Sequence, residues 1–150
     1  MAALIGLDVG TSGVKGLALT TDGEVLAREE ESYALSTPQP GWAEQDPDDW
    51  FAAARAVLDR LPEGPLGLSG QMHGLVVLGD DDRPLRPAIL WNDQRTGAEA
   101  DELEARLGLG RLVELTGNRA LTGFTAPKLV WLRHHEPDVF ARVEIGRAHV

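Results

Sequence analysis

Leu4-Ile5-Gly6-Leu7-Asp8-Val9-Gly10-Thr11-Ser12-Gly13-Val14-Lys15 is the stretch whose reading decides the fold. The apolar run 2–7 predicts a buried strand that ends in an acid, Asp8, and then in a tight turn, Gly10-Thr11-Ser12-Gly13. A second apolar run, 14–19, follows at once. Two strands joined this closely form a hairpin, and the glycines are expected to supply the positive φ of its turn. The chemistry belongs to that turn. Gly10 and Gly13 let backbone N–H groups approach an anion, Thr11 and Ser12 add hydroxyl donors, and Lys15 adds a charge. Asp8, at the strand end, suits a Mg²⁺ held through water and bridging phosphates. The stretch is not a Walker A loop, because no Gly-Lys-Ser/Thr occurs and a strand follows instead of a helix. Nor is it the dinucleotide Gly-x-Gly-x-x-Gly. A glycine-rich hairpin with an exposed acid is the bland alternative. The density of an acid, two glycines, two hydroxyls and a lysine within eight positions favours a phosphate site.

Working outward, 21–23 reads as a turn and 24–33 as a third strand, completing a meander. A loop with Pro38, Pro40 and Gly41 leads to Asp46, a good helix N-cap, with Pro47 at the first helical position. Trp50, Ala54, Val57, Leu58 and Leu61 then share one face, so 47–60 is an amphipathic helix. The next informative stretch is 66–78: a strand to about Ser69, the turn Gly70-Gln71-Met72-His73-Gly74, and a strand over 75–78. The bracketing glycines and the strand-end position expose Gln71 and His73 where α/β sheets hold ligands. The apolar run 85–90 ends in Trp91-Asn92-Asp93-Gln94-Arg95. An indole face can pack on the C–H face of a sugar while Asn92 and Asp93 take hydroxyls. Asp93 and Arg95 read equally well as a structural ion pair. Helices are expected over 96–107, 109–115 and from Pro127 to the His134-His135-Glu136-Pro137 stop, with Leu129, Val130 and Leu132 available for packing. Neighbouring histidines on a helix diverge, so His134 and His135 make a poor chelate and instead suit the negative end of the helix dipole.

Composition bounds the function. The chain has 150 residues, enough for one domain, 43% of them hydrophobic, with a net charge of −10. That balance argues against a nucleic-acid surface, and the short acidic clusters read as solvated faces. Without cysteine, neither disulfides nor thiolate metal sites can form. No apolar run is long enough to span a membrane, and the start lacks the basic residues of a signal peptide, so no membrane partner and a cytoplasmic location are expected.

Four motifs carry a resemblance. Asp8-Val9-Gly10-Thr11-Ser12-Gly13-Val14-Lys15 resembles the first phosphate loop of the FGGY family of carbohydrate kinases. Gly70-Gln71-Met72-His73-Gly74 looks like the sugar-binding turn of its xylulokinase branch, whereas glycerol kinases carry Arg-Glu where Met72-His73 stand here. The segment 87–95 and the run from Thr116-Gly117 through Phe124-Thr125-Ala126-Pro127-Lys128 to Trp131 continue the likeness in the same order. The resemblance implies an α/β chain of the actin-like, ribonuclease H-like ATPase fold, forming an incomplete first lobe. It implies ATP-dependent phosphorylation of D-xylulose in a full-length form, with ATP and Mg²⁺ as cofactors. Asp8 would organise the metal; Thr11, Ser12, Gly13 and Lys15 would hold phosphates; Met72, His73, Trp91 and Asn92 would face the sugar. No motif here matches the family's catalytic base, an aspartate, so the chain by itself is expected to be inactive. A kinase for ribulose, gluconate or glycerol, or a sugar-binding domain without activity, are the alternatives, and a homodimer is open for the full-length form. The family likeness is expected to cover 1–143. Residues 144–150, Glu-Ile-Gly-Arg-Ala-His-Val, depart from it and match one reading frame of a sequencing-library adapter, so they are expected to be a non-native tail.

Overall fold

The computed structural model describes residues 3–148, with side chains up to Glu144. Ala2, where the first apolar run was expected to begin, and His149-Val150, the end of the expected tail, lie outside the described residues. The chain divides into two compact units, Met1–Leu35 with Asp46–Gln71, and Ser36–Gln45 with Met72–Val150.

The first unit is a four-stranded sheet with one helix. Strands β1 (Ala3–Val9), β2 (Gly13–Thr20) and β3 (Val25–Ser32) form the expected meander. Helix α1 (Pro47–Leu58) follows, and β5 (Leu66–Gly70) lies parallel to β1, giving the order β3-β2-β1-β5. Alternation sets the faces. Ala3, Ile5, Leu7, Val14 and Ala18 point to one side and bury against Ala53, Val57 and Leu61. Asp8 points to the other, opposite Lys15 on β2 and Ser69 on β5. The helix starts where Asp46 accepts a hydrogen bond from the Asp48 N–H (2.9 Å), with Pro47 at its first position.

The second unit holds a sheet of order β4-β7-β6-β8, built from β4 (Glu44–Gln45), β6 (Leu75–Leu78), β7 (Ala88–Ile89) and β8 (Ile145–Ala148). Helices α2 (Gly97–Leu107), α3 (Leu109–Thr116), α4 (Thr125–His135) and α5 (Pro137–Phe140) complete it. Trp131 and Leu132 of α4 bury against Leu75, Val77 and Ile89. β5 and β6, read from sequence as flanking a turn, belong to different sheets. The two-residue strands β4 and β7 and the single-turn α5 were not expected, being too short to show a period.

Two expectations are corrected. Neither Gly10 nor Gly13 has a positive φ. Gly13 is required for space: a Cβ there would lie 2.4 Å from the Glu31 carbonyl oxygen and 2.9 Å from the Ser32 Cα. The inward face of α4 consists of Pro127, Lys128, Trp131 and Leu132, while Leu129 is exposed and Val130 is half-buried. Of the three expected packing residues, Leu132 is buried in the core.

Gly13→Ala should therefore cost about 1–3 kcal/mol, because the added methyl meets backbone rather than a yielding side chain. Gly6→Ala, with nothing within 4 Å of its Cβ position, should stay within about 1 kcal/mol of the parent. Urea unfolding of the two variants beside the parent checks the contrast.

Candidate functional site

The hairpin tip is held from two sides. The Gly10 N–H donates to the Gly13 carbonyl (3.0 Å), and the Gln71 N–H, at the end of β5, donates to the Val9 carbonyl (2.8 Å). The Thr11 hydroxyl lies 3.2 Å from the Gln71 side-chain oxygen. From the β3 side, the Tyr33 hydroxyl donates to the Gly10 carbonyl. Burial, reinforced by the negative charge of Asp8, pushes the Tyr33 phenol up to about 12, so it stays protonated and remains a donor. Ser12 at the tip is exposed, and Thr11 is half-buried.

Asp8 lies at the end of β1, one residue before its last, with an exposed side chain on the face away from α1. A Cβ on Gly10 would stand 3.7 Å from the Asp8 carboxylate, so the glycine keeps the space beside that oxygen open. This exposed oxygen donor with clear space beside it fits a hydrated Mg²⁺. Lys15 shares the face, and its ammonium lies 3.9 Å from Glu30 with both side chains mostly exposed. Such a pair is worth about 0–1 kcal/mol, so it leaves the lysine able to turn to another anion.

In the second unit, Met72 is exposed and His73 is half-buried, with φ at 61°. This left-handed backbone is uncommon for a residue with a side chain. The His73 ring meets Phe124 edge-on, with centroids 4.8 Å apart. The His73 carbonyl accepts from the Thr125 hydroxyl (3.4 Å) and the Lys128 ammonium (3.3 Å).

Trp91 is 47% exposed, as a wall for a ligand requires. Asn92 beside it has a buried side-chain oxygen with no hydrogen-bond donor. Asp93 is fully buried, and its role is structural. Its carboxylate accepts from the Ala43 N–H (2.7 Å), the Arg95 N–H (2.9 Å) and the Arg95 guanidinium (2.8 and 3.0 Å). Arg95 also reaches Glu44 at 2.8 Å and lies over the Trp42 and Trp131 rings, 3.5 and 4.8 Å from their centroids. With every lone pair engaged, Asp93 cannot take a sugar hydroxyl or act as a base.

His134 and His135 reach back to acids on α2. His135 Nε2 lies 3.1 Å from Glu99, its ring stacked on Trp131, and His134 Nδ1 lies 3.7 Å from Glu102. Among the described residues no group of three potential metal ligands forms, and no helix is long and apolar enough to cross a membrane.

Lys128 was read only as a motif letter, yet it is fully buried. Burial pulls its ammonium down to about 8, with the nearby Asp93 charge opposing the shift and that of Arg95 adding to it. The signal was present in the sequence: a lysine occupies the inward slot of the Pro127, Trp131, Leu132 pattern. A charge there reads as an error unless it is bonded.

The model of the FGGY family of carbohydrate kinases, N-terminal domain, matches residues 3–148. The chain is 45% identical over 147 residues to a xylulose kinase of Escherichia coli K12, covering 93% of this chain and 30% of that protein. It is 43% identical over 150 residues to a xylulose kinase of Staphylococcus xylosus, covering 95% of this chain and 31% of that one. The crystal structure of a xylulose kinase from Rhodospirillum rubrum superposes with a TM-score of 0.92 at 34% identity, over 96% of this chain and 32% of that chain. The chain thus spans about a third of the length of these relatives.

Two outcomes follow from this chemistry. Arg95→Met should cost about 3–5 kcal/mol by stranding Asp93 and Glu44 as buried carboxylates. Arg95→Lys should recover only part of that, because an ammonium neither forks nor stacks; urea midpoints of both variants test this. For Lys128, the folded pKa of about 8 lies below the ordinary 10.5. Between those values the unfolded chain binds more protons, so this group adds stability as pH rises through the window and withdraws it as pH falls. Unfolding midpoints at about pH 7.5 and about pH 10.5 should diverge less in Lys128→Met than in the parent.

Proposed function

This chain belongs to the FGGY family of carbohydrate kinases, and from that premise we propose that its full-length form transfers the γ-phosphoryl group of ATP to the 5-hydroxyl of D-xylulose. The observation that carries the sugar reading is the Trp91-Asn92 pair. A half-exposed indole stands next to a buried amide oxygen that lacks a donor. A polyol can lay a C–H face on the exposed part of the ring and offer a hydroxyl to the amide. Met72 and His73, presented on a left-handed turn, select among sugars. The choice of D-xylulose rests on that pair and on the xylulose kinases to which the chain is similar.

In the first unit, Asp8 holds Mg²⁺ through water, and the metal supplies charge neutralisation at the phosphates. Thr11, Ser12 and the Gly13 backbone face the phosphates with hydroxyl and amide donors, and Lys15 adds a movable positive charge. Phosphoryl transfer depends on positioning and charge neutralisation, plus a base for the sugar hydroxyl. Asp93, the carboxylate next to Trp91-Asn92 in sequence, is saturated and cannot be that base. We therefore expect residues 1–150 alone to bind the sugar and to leave it unphosphorylated.

The chain has two methionines, so a ¹³C-methyl methionine label gives a nearly unique reporter at Met72. Titration with D-xylulose should move the Met72 methyl saturably, and D-ribulose, D-gluconate and glycerol should move it less. No sugar-dependent ADP release should appear with ATP and Mg²⁺. Tighter binding of one of the other polyols would reassign the substrate within the family. Sugar-dependent ADP release would show that the base lies within these residues.

A further inference from the structure

Among the described residues, Lys128 makes no ion pair with an acid. Its ammonium donates to four backbone carbonyls: Gly123 at 2.6 Å, Thr122 at 3.0 Å, Phe124 at 3.1 Å and His73 at 3.3 Å. Three of these precede it by four to six residues, at the entrance to its own helix. The fourth comes from 55 residues away in sequence. An ammonium has three protons, so these four carbonyls share them. A buried cation bonded to carbonyls alone does not neutralise an acid; it fixes the path of the backbone that supplies the oxygens.

The path fixed here is unusual. His73 stands at φ 61°, one of two described residues other than glycine with a positive φ. A residue with a Cβ leaves that region unless its surroundings hold it there. Two holds act on its carbonyl, Lys128 and the Thr125 hydroxyl, and a third acts on its ring, the edge contact with Phe124. All three come from Phe124-Thr125-Ala126-Pro127-Lys128. The segment 124–128 is therefore built around the carbonyl of His73 as well as around its own helix start.

We propose that Lys128 is a positioning residue for the sugar-facing turn: its ammonium holds the His73 carbonyl, and with it the left-handed backbone that presents Met72 and His73 to the polyol. The sugar part of this rests on the reading of Met72-His73 given above. The hold on the turn does not.

The chain contains two lysines, Lys15 exposed and Lys128 buried, so a ¹⁵N-lysine label resolves them. In the parent chain the Lys128 ammonium should give a slowly exchanging signal with a scalar coupling across the hydrogen bond to the ¹³C-labelled His73 carbonyl. Its absence would overturn the proposal, and this measurement needs no variant to fold. In Lys128→Met, which keeps the stem and removes the ammonium, the β6 amides should stay in place. The His73 H–N–Cα–H coupling should leave the left-handed range, and its ring protons should lose the upfield shift from Phe124. The D-xylulose midpoint read at the Met72 methyl should weaken roughly tenfold. A folded Lys128→Met with an unchanged His73 would overturn the proposal. If His73 moves in the variant but the parent's Met72 methyl ignores D-xylulose, the sugar reading fails while the hold of Lys128 on the turn stands.

Discussion

The second unit depends on how one buried guanidinium is satisfied. Arg95 has a side chain 1% exposed, and a cation removed from water costs several kcal/mol unless its surroundings replace the lost hydration. Asp93 takes it in a forked pair, Glu44 takes another edge, and the Trp42 and Trp131 rings pack against it. These partners come from the 36–45 loop, the segment after β7 and helix α4. None is close in sequence to all the others, so the guanidinium is where the three segments are tied. A planar, five-donor group is needed for that, because an ammonium can neither fork to a carboxylate nor stack on an indole. Trp91 and Asn92 immediately precede Asp93. The proposed sugar wall therefore hangs from a carboxylate held on every side.

The two units solve different binding problems. The hairpin proposed to face phosphates is stiff in its backbone and soft in its charges: the tip is pinned by Gln71 and Tyr33, while Asp8 and Lys15 stay exposed. Attraction between a metal, phosphates and a lysine reaches several ångströms, so such side chains can settle after the ligand arrives. A neutral polyol offers hydrogen bonds and apolar contact, which act over short distances only. Its receptor must be formed beforehand. The buried Asp93–Arg95 pair and the Lys128 cage around the His73 carbonyl are the kind of rigid support this requires.

Much of this was legible from neighbours in sequence. The meander, α1 with its Asp46 cap, and the helices α2 to α4 follow from periods and stop signals of 7 to 12 residues. β4, β7 and α5 were not legible, because two or four residues carry no period. The glycine turn was half right: Gly13 is required, for lack of room beside Glu31 rather than for a positive φ. In the 70–74 turn the left-handed position falls on His73 rather than on a glycine. Only contacts made by Phe124, Thr125 and Lys128 keep it there.

The sequence by itself determined the longer elements and the family, and it suggested which residues would face a phosphate or a sugar. These depend on residue type and spacing along the chain, which need no coordinates. The tertiary structure decided what each charged residue does. Asp93 and Lys128 carry groups that could serve chemistry, and nothing in their types says otherwise. Burial and partners settle it: Asp93 spends its lone pairs on Ala43 and Arg95, and Lys128 spends its protons on carbonyls. Whether a polar group is free for a ligand is a property of its surroundings. Those surroundings are assembled from segments tens of residues apart, beyond the reach of any local pattern.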